Sequence, residues 1–136
     1  MKNKDLAQDY ITRAGHRLAA LQVLLDRESC ADVVREAQEL IELCLKAVLR
    51  VSGIEPPRSH DVSDILLENA HRVPAALHLH TAALSKISKK LRRDRELAFY
   101  GSEDLTPSDF YKKEDAQEAF DDARWVYETC REAMKP

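Results

Sequence analysis

The chain has 136 residues, enough for one domain with a single hydrophobic core and no disulfides. With 33% charged and 44% hydrophobic residues and three glycines, the composition is typical of a globular protein rich in helix. Its net charge is −3, which excludes a uniformly basic surface, so any attraction for anions has to be local. No apolar run approaches the ~20 residues of a membrane span and the start lacks a signal-peptide core, so we expect a cytoplasmic protein.

The three cysteines are isolated from one another, at positions 30, 44 and 130. Without a Cys-x-x-Cys pair they indicate neither a disulfide framework nor a zinc knuckle. Cys44 and Cys130 fall at apolar positions of helical repeats, and we expect both thiols to be buried. A phosphate-binding glycine loop and clustered metal ligands are also missing, so we expect no cofactor and no metal.

The first half of the chain predicts two helices and a connector. Apolar spacing predicts a first helix from about residue 4 to residue 26. A second helix is predicted to begin at Ser29, which forms a variant of the capping box with Asp32, and to end at Gly53. The Pro56-Pro57 pair after it cannot continue a helix, and it is interpreted as a rigid connector.

The second half of the chain predicts three more helices. Asp61 is expected to cap a short one. After a break at Pro74, a fourth helix of about 25 residues carries its apolar face on Leu77, Leu84, Ile87, Leu91 and Ala98, and Gly101 is placed to end it. The Thr-Pro-Ser-Asp sequence at 106–109 signals the start of the last amphipathic helix. The expected fold is all-α, an up-and-down antiparallel bundle of about five helices in a single domain over residues 1–136.

The fourth helix ends in a basic run. Residues 86–96 contain two acids and six cations, a local surplus of four: Lys86, Lys89, Lys90, Arg92, Arg93 and Arg95. Such a surface attracts phosphate-bearing partners. A charge run on a helix is more often a solvated face, but Arg95 lies four residues after the apolar Leu91, near the edge of the predicted buried stripe. Arg95 is therefore the strongest candidate for contacting phosphate.

Three segments carry a resemblance to a known family. The first is Ala-Gln-Glu-Leu-Ile-Glu-Leu-Cys-Leu-Lys-Ala at 37–47, with Lys46-Ala47 four residues after Glu42. The second is Pro-Arg-Ser-His-Asp-Val at 57–62, and the third is Arg-Glu-Leu-Ala-Phe-Tyr-Gly at 95–101. In order and spacing, across nearly the whole chain, they resemble the HEPN family, the higher-eukaryote and prokaryote nucleotide-binding domain.

The resemblance implies a helical bundle that forms a homodimer and binds nucleotide or RNA. Such proteins are often encoded beside a minimal nucleotidyltransferase, in a toxin–antitoxin or related two-component system. Many are metal-independent ribonucleases, in which an arginine is followed after four to six residues by a histidine and two copies form one cleft. That chemistry needs a proton carrier near neutral pH and a cation for the charge on phosphate.

The chain departs from this pattern where the histidine belongs. Five residues after Arg95 stands Tyr100, and no histidine follows His80. A phenol, with a reference pKa of about 10, is a poor general base at neutral pH. It does donate hydrogen bonds, stack on bases and accept covalent groups. Relatives paired with a nucleotidyltransferase can be adenylylated on a tyrosine near the motif, and the resemblance makes Tyr100 the matching candidate. Arg95 and Tyr100 are the candidate catalytic residues, and ribonuclease activity stays in doubt.

Two histidines elsewhere compete for a role. By its family-like position His60 belongs to the nucleotide site, but the simpler interpretation is that His60 and Asp61 fix the turn before the third helix. Arg72 and His78 match the arginine–histidine spacing literally. Because Pro74 interrupts that match, we interpret the two as polar residues that flank a helix start.

Two classes of function follow. In the first, the protein is a nucleotide- or RNA-binding dimer whose candidate phosphate ligands are Arg92, Arg95, Tyr100 and His60. In the second, it is a non-catalytic interaction subunit that docks a nucleotidyltransferase through an exposed helical face.

Overall fold

The computed structural model describes residues 2–58, 61–100 and 106–135, and of residues 2 and 93–100 the backbone alone. These ranges contain helices and no strand, which confirms the all-α prediction. The α-helices are α1 (Lys2–Asp26), α2 (Cys30–Val51), α3 (Val62–Glu68), α4 (Thr81–Tyr100), α5 (Pro107–Phe110) and α6 (Lys113–Ala133), and a 3-10 turn spans Ala75–Leu77. None of the helices in the described ranges is both long and apolar enough to cross a bilayer.

Helix α2 is the centre of the bundle. It packs against α1 on one side, α4 on another and α6 on a third. Twelve of its 22 residues are buried, and they cover most of its circumference, as expected for a helix surrounded by others. Helix α3 packs mainly on α4, and α6 closes the bundle against α1 and α2.

The start of α2 differs from the predicted capping box. Ser29 occupies the cap position, but its hydroxyl donates to the Asp32 carboxylate over 2.6 Å and accepts no bond from the backbone of the helix. The cap prediction was wrong because ψ of Ser29 is 68°, away from the extended conformation that aims a capping side chain at the helix. The predicted end was correct, since α2 stops before Gly53, whose φ is +76°.

Helix α3 begins as predicted. Asp61 Oδ1 accepts hydrogen bonds from the backbone nitrogen of Ser63 at 2.9 Å and from its hydroxyl at 2.6 Å. Partial burial alone would raise the pKa of Asp61, but the bonds from Ser63 and the Lys89 ammonium outweigh burial and lower it. The carboxylate that caps α3 is therefore held in its charged form.

Helix α4 starts later than predicted and has 20 residues rather than about 25. Leu77 lies in the 3-10 turn, and residues 78–80 form a further turn before Thr81. The His78 Nε2 atom lies 2.8 Å from the carbonyl oxygen of Val73, which closes this turn. The His80 ring meets the ring of Trp125 edge-on at 5.5 Å. Arg72 and His78 thus flank a turn instead of the start of a long helix.

The Thr-Pro-Ser-Asp sequence at 106–109 begins the short helix α5 and not, as was predicted, the last long helix. Thr106 caps α5 by accepting from the backbone nitrogen of Asp109 at 3.2 Å, but α5 ends after Phe110. Tyr111 is extended and only 6% exposed, and burial of its ring stops the helix. The last long helix, α6, begins at Lys113, where Asp115 Oδ2 accepts from the backbone nitrogen of Lys112 at 2.8 Å.

Both predicted buried cysteines are confirmed. Cys44 of α2 and Cys130 of α6 are 0% exposed and belong to the core. Burial raises the pKa of Cys130 to about 12, and burial together with the neighbouring Cys130 raises the pKa of Cys44 well above its usual value. Two neutral thiols therefore pack as small apolar groups where α2 meets α6.

Candidate nucleotide site

The structure describes the predicted site residues in different detail. Arg92 is described with its side chain. Arg95 and Tyr100 lie on the last turns of α4 and are described by their backbone alone, while His60 and Gly101 fall outside the described residues. Helix α4 therefore carries three of the four candidate phosphate ligands within nine residues of one another.

Arg92 joins α4 to the central helix. Its Nη1 atom lies 3.4 Å from Glu42 Oε1 of α2. The Glu42 side chain is 15% exposed and the Arg92 side chain 39%, so the pair lies at the edge of the α2–α4 contact with the carboxylate on the inner side. A guanidinium has five N–H donors, and this contact involves one of its nitrogens. An arginine in this position is able to keep a carboxylate partner and still offer donors to phosphate.

The lysines that precede Arg92 are paired with acids from two other helices. Lys89 Nζ lies 3.2 Å from Asp61 and 2.6 Å from Asp64 at the start of α3. Lys90 pairs with Glu118 of α6. The acidic partners of Lys89 raise its pKa, chiefly through the hydrogen bond to Asp64 and then through the one to Asp61. These ion pairs connect α4 to α3 and α6.

The local surplus of positive charge is therefore smaller than the sequence indicates. Three of the six cations of the run, Lys89, Lys90 and Arg92, have acidic partners in the fold. Those partners are distant in sequence, on α2, α3 and α6, and counting charges within residues 86–96 could not find them. Lys86 is exposed, and the remaining two cations are Arg93 and Arg95.

Position 95 is distinguished by its place on α4. It follows Leu91, which is 3% exposed, by four residues, and Ser88, which is 2% exposed, by seven. Residues at these separations share one side of an α-helix. Helical spacing therefore aligns position 95 with Leu91 and Ser88 along α4, one turn beyond Arg92.

Sequence reasoning missed Gln38. Its side chain is 0% exposed, and neither its amide nitrogen nor its amide oxygen has a hydrogen-bond partner among the described residues. The available signal was a glutamine at an apolar position of α2, four residues after Val34 and three before Ile41, both of which are buried. A polar residue inside such a stripe marks a buried polar group that needs an explanation.

Cavities border several helices in the described part of the chain. Two larger cavities, of about 440 Å³ and about 380 Å³, lie between α1 and α2 and between α1 and α6, and no residue of α4 lines either. A third cavity, which Leu91 of α4 lines together with Val34 of α2 and residues of α6, measures about 50 Å³, which has room for water but not for a nucleotide.

Metal ligands are not gathered anywhere in the described ranges, since no group of three or more His, Cys, Asp or Glu side chains converges there. What α4 and α2 offer to a ligand in these ranges is hydrogen bonding and charge, from the Arg92 guanidinium beside Glu42. Such an arrangement suits the recognition of a phosphate group.

Comparison with known proteins gives one result. No curated protein and no solved structure matches the chain. A protein-family model does match, that of the HEPN domain, over residues 7–133, which include all six α-helices in whole or in large part. At family level this match supports a function related to nucleotides or RNA. The chain belongs to the HEPN domain family.

Proposed function

We propose that this protein is a nucleotide- or RNA-binding member of its family that acts as a homodimer, with Arg95 as the main phosphate ligand. The observation that carries the proposal is the position of Arg95 in a HEPN chain, four residues after the buried Leu91 and one turn beyond Arg92. The proposal places the protein in the cytoplasm, where RNA and nucleotides are available.

Arg92, His60 and Tyr100 complete the proposed site. Arg92 supplies a second guanidinium whose charge Glu42 partly balances. His60 immediately precedes Asp61, whose carboxylate is tied to Lys89 of α4, so the chain enters α3 close to the middle of α4. Tyr100 offers an aromatic ring to stack on a base and a hydroxyl that a nucleotidyltransferase could modify.

Tyr100, five residues after Arg95, favours binding over RNA cleavage. A phenol holds its proton at neutral pH, so it does not take the proton of a ribose 2′-hydroxyl as an imidazole does. Cleavage by Arg95 and Tyr100 would require a strongly lowered phenol pKa. We therefore propose a binding protein, with a minimal nucleotidyltransferase as its partner in a toxin–antitoxin-like pair.

A docking subunit without nucleotide binding is the second candidate. One observation favours it, the apolar groove of about 440 Å³ between α1 and α2. Val23 in that groove is 57% exposed, which is high for a valine beside a core. Arg17 and Glu36 pair across the groove at 3.3 Å and give it a charged border. A partner protein could cover this face.

One experiment separates the candidates. Purified protein in EDTA is incubated with labelled single-stranded RNA and, separately, with ATP, while binding, cleavage and oligomeric state are recorded on the same samples. Arg95→Ala and Tyr100→Phe are compared with Arg13→Ala, which removes the same charge from an exposed position on α1.

Each result has a defined meaning. Binding that Arg95→Ala abolishes and Arg13→Ala preserves, in a protein that remains dimeric, supports the proposal. Cleavage that depends on Arg95 would instead make the protein a ribonuclease that works without the usual histidine. Absence of binding and of cleavage in the wild type would leave the docking subunit.

A further inference from the structure

The groove between α1 and α2 has an exposed apolar side chain at its edge. The groove measures about 440 Å³, and its apolar lining comes from α1, where Ala20, Leu21 and Leu24 contribute to it. Val23 lines the same groove and is 57% exposed, whereas Leu21 is 0% exposed. A valine that faces solvent beside a groove of this size leaves apolar surface in water, and covering that surface is favourable.

The side of α1 that carries Val23 has no charged residue over about three turns. The exposed positions that share this side with Val23 are Thr12, His16, Ala19 and Ala20. Helix α1 packs mainly on α2 and α6, and neither covers these positions. An exposed helix face without Lys, Arg, Asp or Glu is unusual in a chain with 33% charged residues. Depletion of charge is typical of the centre of a protein–protein interface.

The rim of the groove carries charges of both signs. Arg17 stands on the α1 wall, and Asp32 and Glu36 stand on the α2 wall. The Arg17 Nη1 atom lies 3.3 Å from Glu36 Oε2, and this contact involves one of the guanidinium nitrogens, so Arg17 keeps donors for a further carboxylate. Two copies that meet about a two-fold axis along the groove would place each arginine opposite the acidic wall of the other copy. The rim is therefore complementary in charge to a second copy of itself.

We propose that this groove is the contact between two copies of the chain, with Val23 of each copy inserted in the groove of the other. The inference rests on the homodimer of the proposed function and deepens it, because it names the surface that joins the copies. A two-fold contact needs one surface that both protrudes and receives, and the groove with Val23 at its edge has both properties. A different protein as occupant would require no such self-complementarity, so the surface favours a second copy.

Val23→Glu gives the first test, with the dimer dissociation constant measured by sedimentation of the purified protein from about 1 to 100 μM. The constant should rise at least about a hundredfold, because each dimer would bury two unpaired carboxylates. The helical circular dichroism spectrum should stay that of the wild type, since glutamate is a better helix former than valine and position 23 is exposed in a single copy. An unchanged dissociation constant for Val23→Glu would overturn the inference.

Leu79→Glu is the matched control. It introduces the same charge at an apolar residue that is 94% exposed and lies outside the groove, so the dissociation constant should stay that of the wild type. An equal rise in the constant for Leu79→Glu and Val23→Glu would mean that any added acid prevents association, and the inference would fail.

Mixing two variants gives a result that a misfolded protein would not produce. Val23→Glu and Val23→Lys should each dimerise poorly alone, because like charges then meet at the contact. Their equimolar mixture should associate at least about tenfold more tightly than either variant alone, because opposite charges meet instead. A mixture that dissociates as readily as the separate variants would mean that position 23 does not face a second copy, which contradicts the inference.

The same samples distinguish failure of the inference from failure of the proposed function. If the wild type is monomeric at every concentration, the inference and the proposed homodimer both fall. If the wild type is a dimer and Val23→Glu remains one, the homodimer stands and only the inference is overturned. If the wild type dimerises through Val23 but binds neither RNA nor ATP, the inference stands and the proposed binding function falls.

Discussion

Arg92 and Glu42 are fifty residues apart in the chain, yet the guanidinium of one lies 3.4 Å from the carboxylate of the other. The contact connects the basic helix α4 to the central helix α2. The negative charge of Glu42 also opposes a phosphate that approaches the guanidinium donors this contact leaves free.

Neutralising that carboxylate should therefore improve binding. We expect Glu42→Gln to strengthen RNA binding about two- to fivefold, the range that corresponds to removing one weak ion pair. Stability should fall by no more than about 1 kcal/mol, since the Arg92 side chain is 39% exposed and solvent screens the pair.

Fluorescence anisotropy with labelled RNA and urea unfolding measure the two effects of Glu42→Gln. Glu132→Gln is the matched control, because it removes an acid that pairs with Lys135 at the far end of α6. Weaker RNA binding by Glu42→Gln than by wild type would show that Glu42 assists binding instead of opposing it.

Asp61 should contribute to stability through its charge. Asp61→Ala removes the α3 cap and one of the two carboxylate partners of Lys89, and we expect a loss of about 1–2 kcal/mol. Asp64→Ala removes the other partner of Lys89 and leaves the cap, so its loss should be smaller. Urea denaturation at pH 7 measures both, and equal losses would argue against the cap as the main contribution.

The pH dependence follows from the lowered pKa of Asp61. The unfolded chain then binds a proton more readily than the folded one, so the contribution of Asp61 is fully present above the unfolded pKa, about 3.9, and disappears as pH falls through the folded pKa. The stability difference between wild type and Asp61→Ala should therefore shrink in acid. A difference that persists unchanged below about pH 3 would contradict the assignment.

The cysteines should react unequally in the native protein. Cys30 is half-buried, whereas Cys44 and Cys130 are fully buried with raised pKa values. We expect a thiol reagent such as dithionitrobenzoate to label Cys30 quickly and the other two only after unfolding. In Cys30→Ser, fast labelling should disappear, and rapid reaction of a second thiol in the native wild type would contradict the described core.

The buried thiols also predict a loss of stability in alkali. Because folding raises their pKa, the neutral thiols stabilise the fold fully below the unfolded pKa of about 8.5, and the contribution declines as pH rises above it. Cys130→Ala should flatten this decline, as measured by urea unfolding between about pH 7 and pH 10.

The helices were predictable because their apolar residues repeat at helical spacing, and so was the end of α2, but two breaks in the second half of the chain were not. Leu77 and Leu84 are seven residues apart, the separation of two helical turns. Leu77 is buried by a 3-10 turn, but in the sequence its spacing from Leu84 is the same as in one continuous helix. The break at Tyr111 is caused by burial of a side chain in extended conformation, which apolar spacing does not reveal.

For the proposed site, the sequence predicts positions along the chain but not the contacts between helices. The rule for residues four apart pairs Glu42 with Lys46, whereas the fold pairs Glu42 with Arg92 of another helix. Contacts between helices depend on how the bundle packs, and neither the partners of the lysines nor the buried amide of Gln38 could be derived from local spacing.

The salt dependence of RNA binding tests the central claim most directly. Wild type and Arg95→Ala are titrated with labelled single-stranded RNA in EDTA from about 50 to 200 mM salt, with Arg13→Ala as the control. If Arg95 binds phosphate, its removal should weaken binding and reduce the slope of log K against log salt concentration by about 0.7, the value for one phosphate contact on a single strand. An Arg95→Ala protein with the affinity and slope of the wild type would contradict the account.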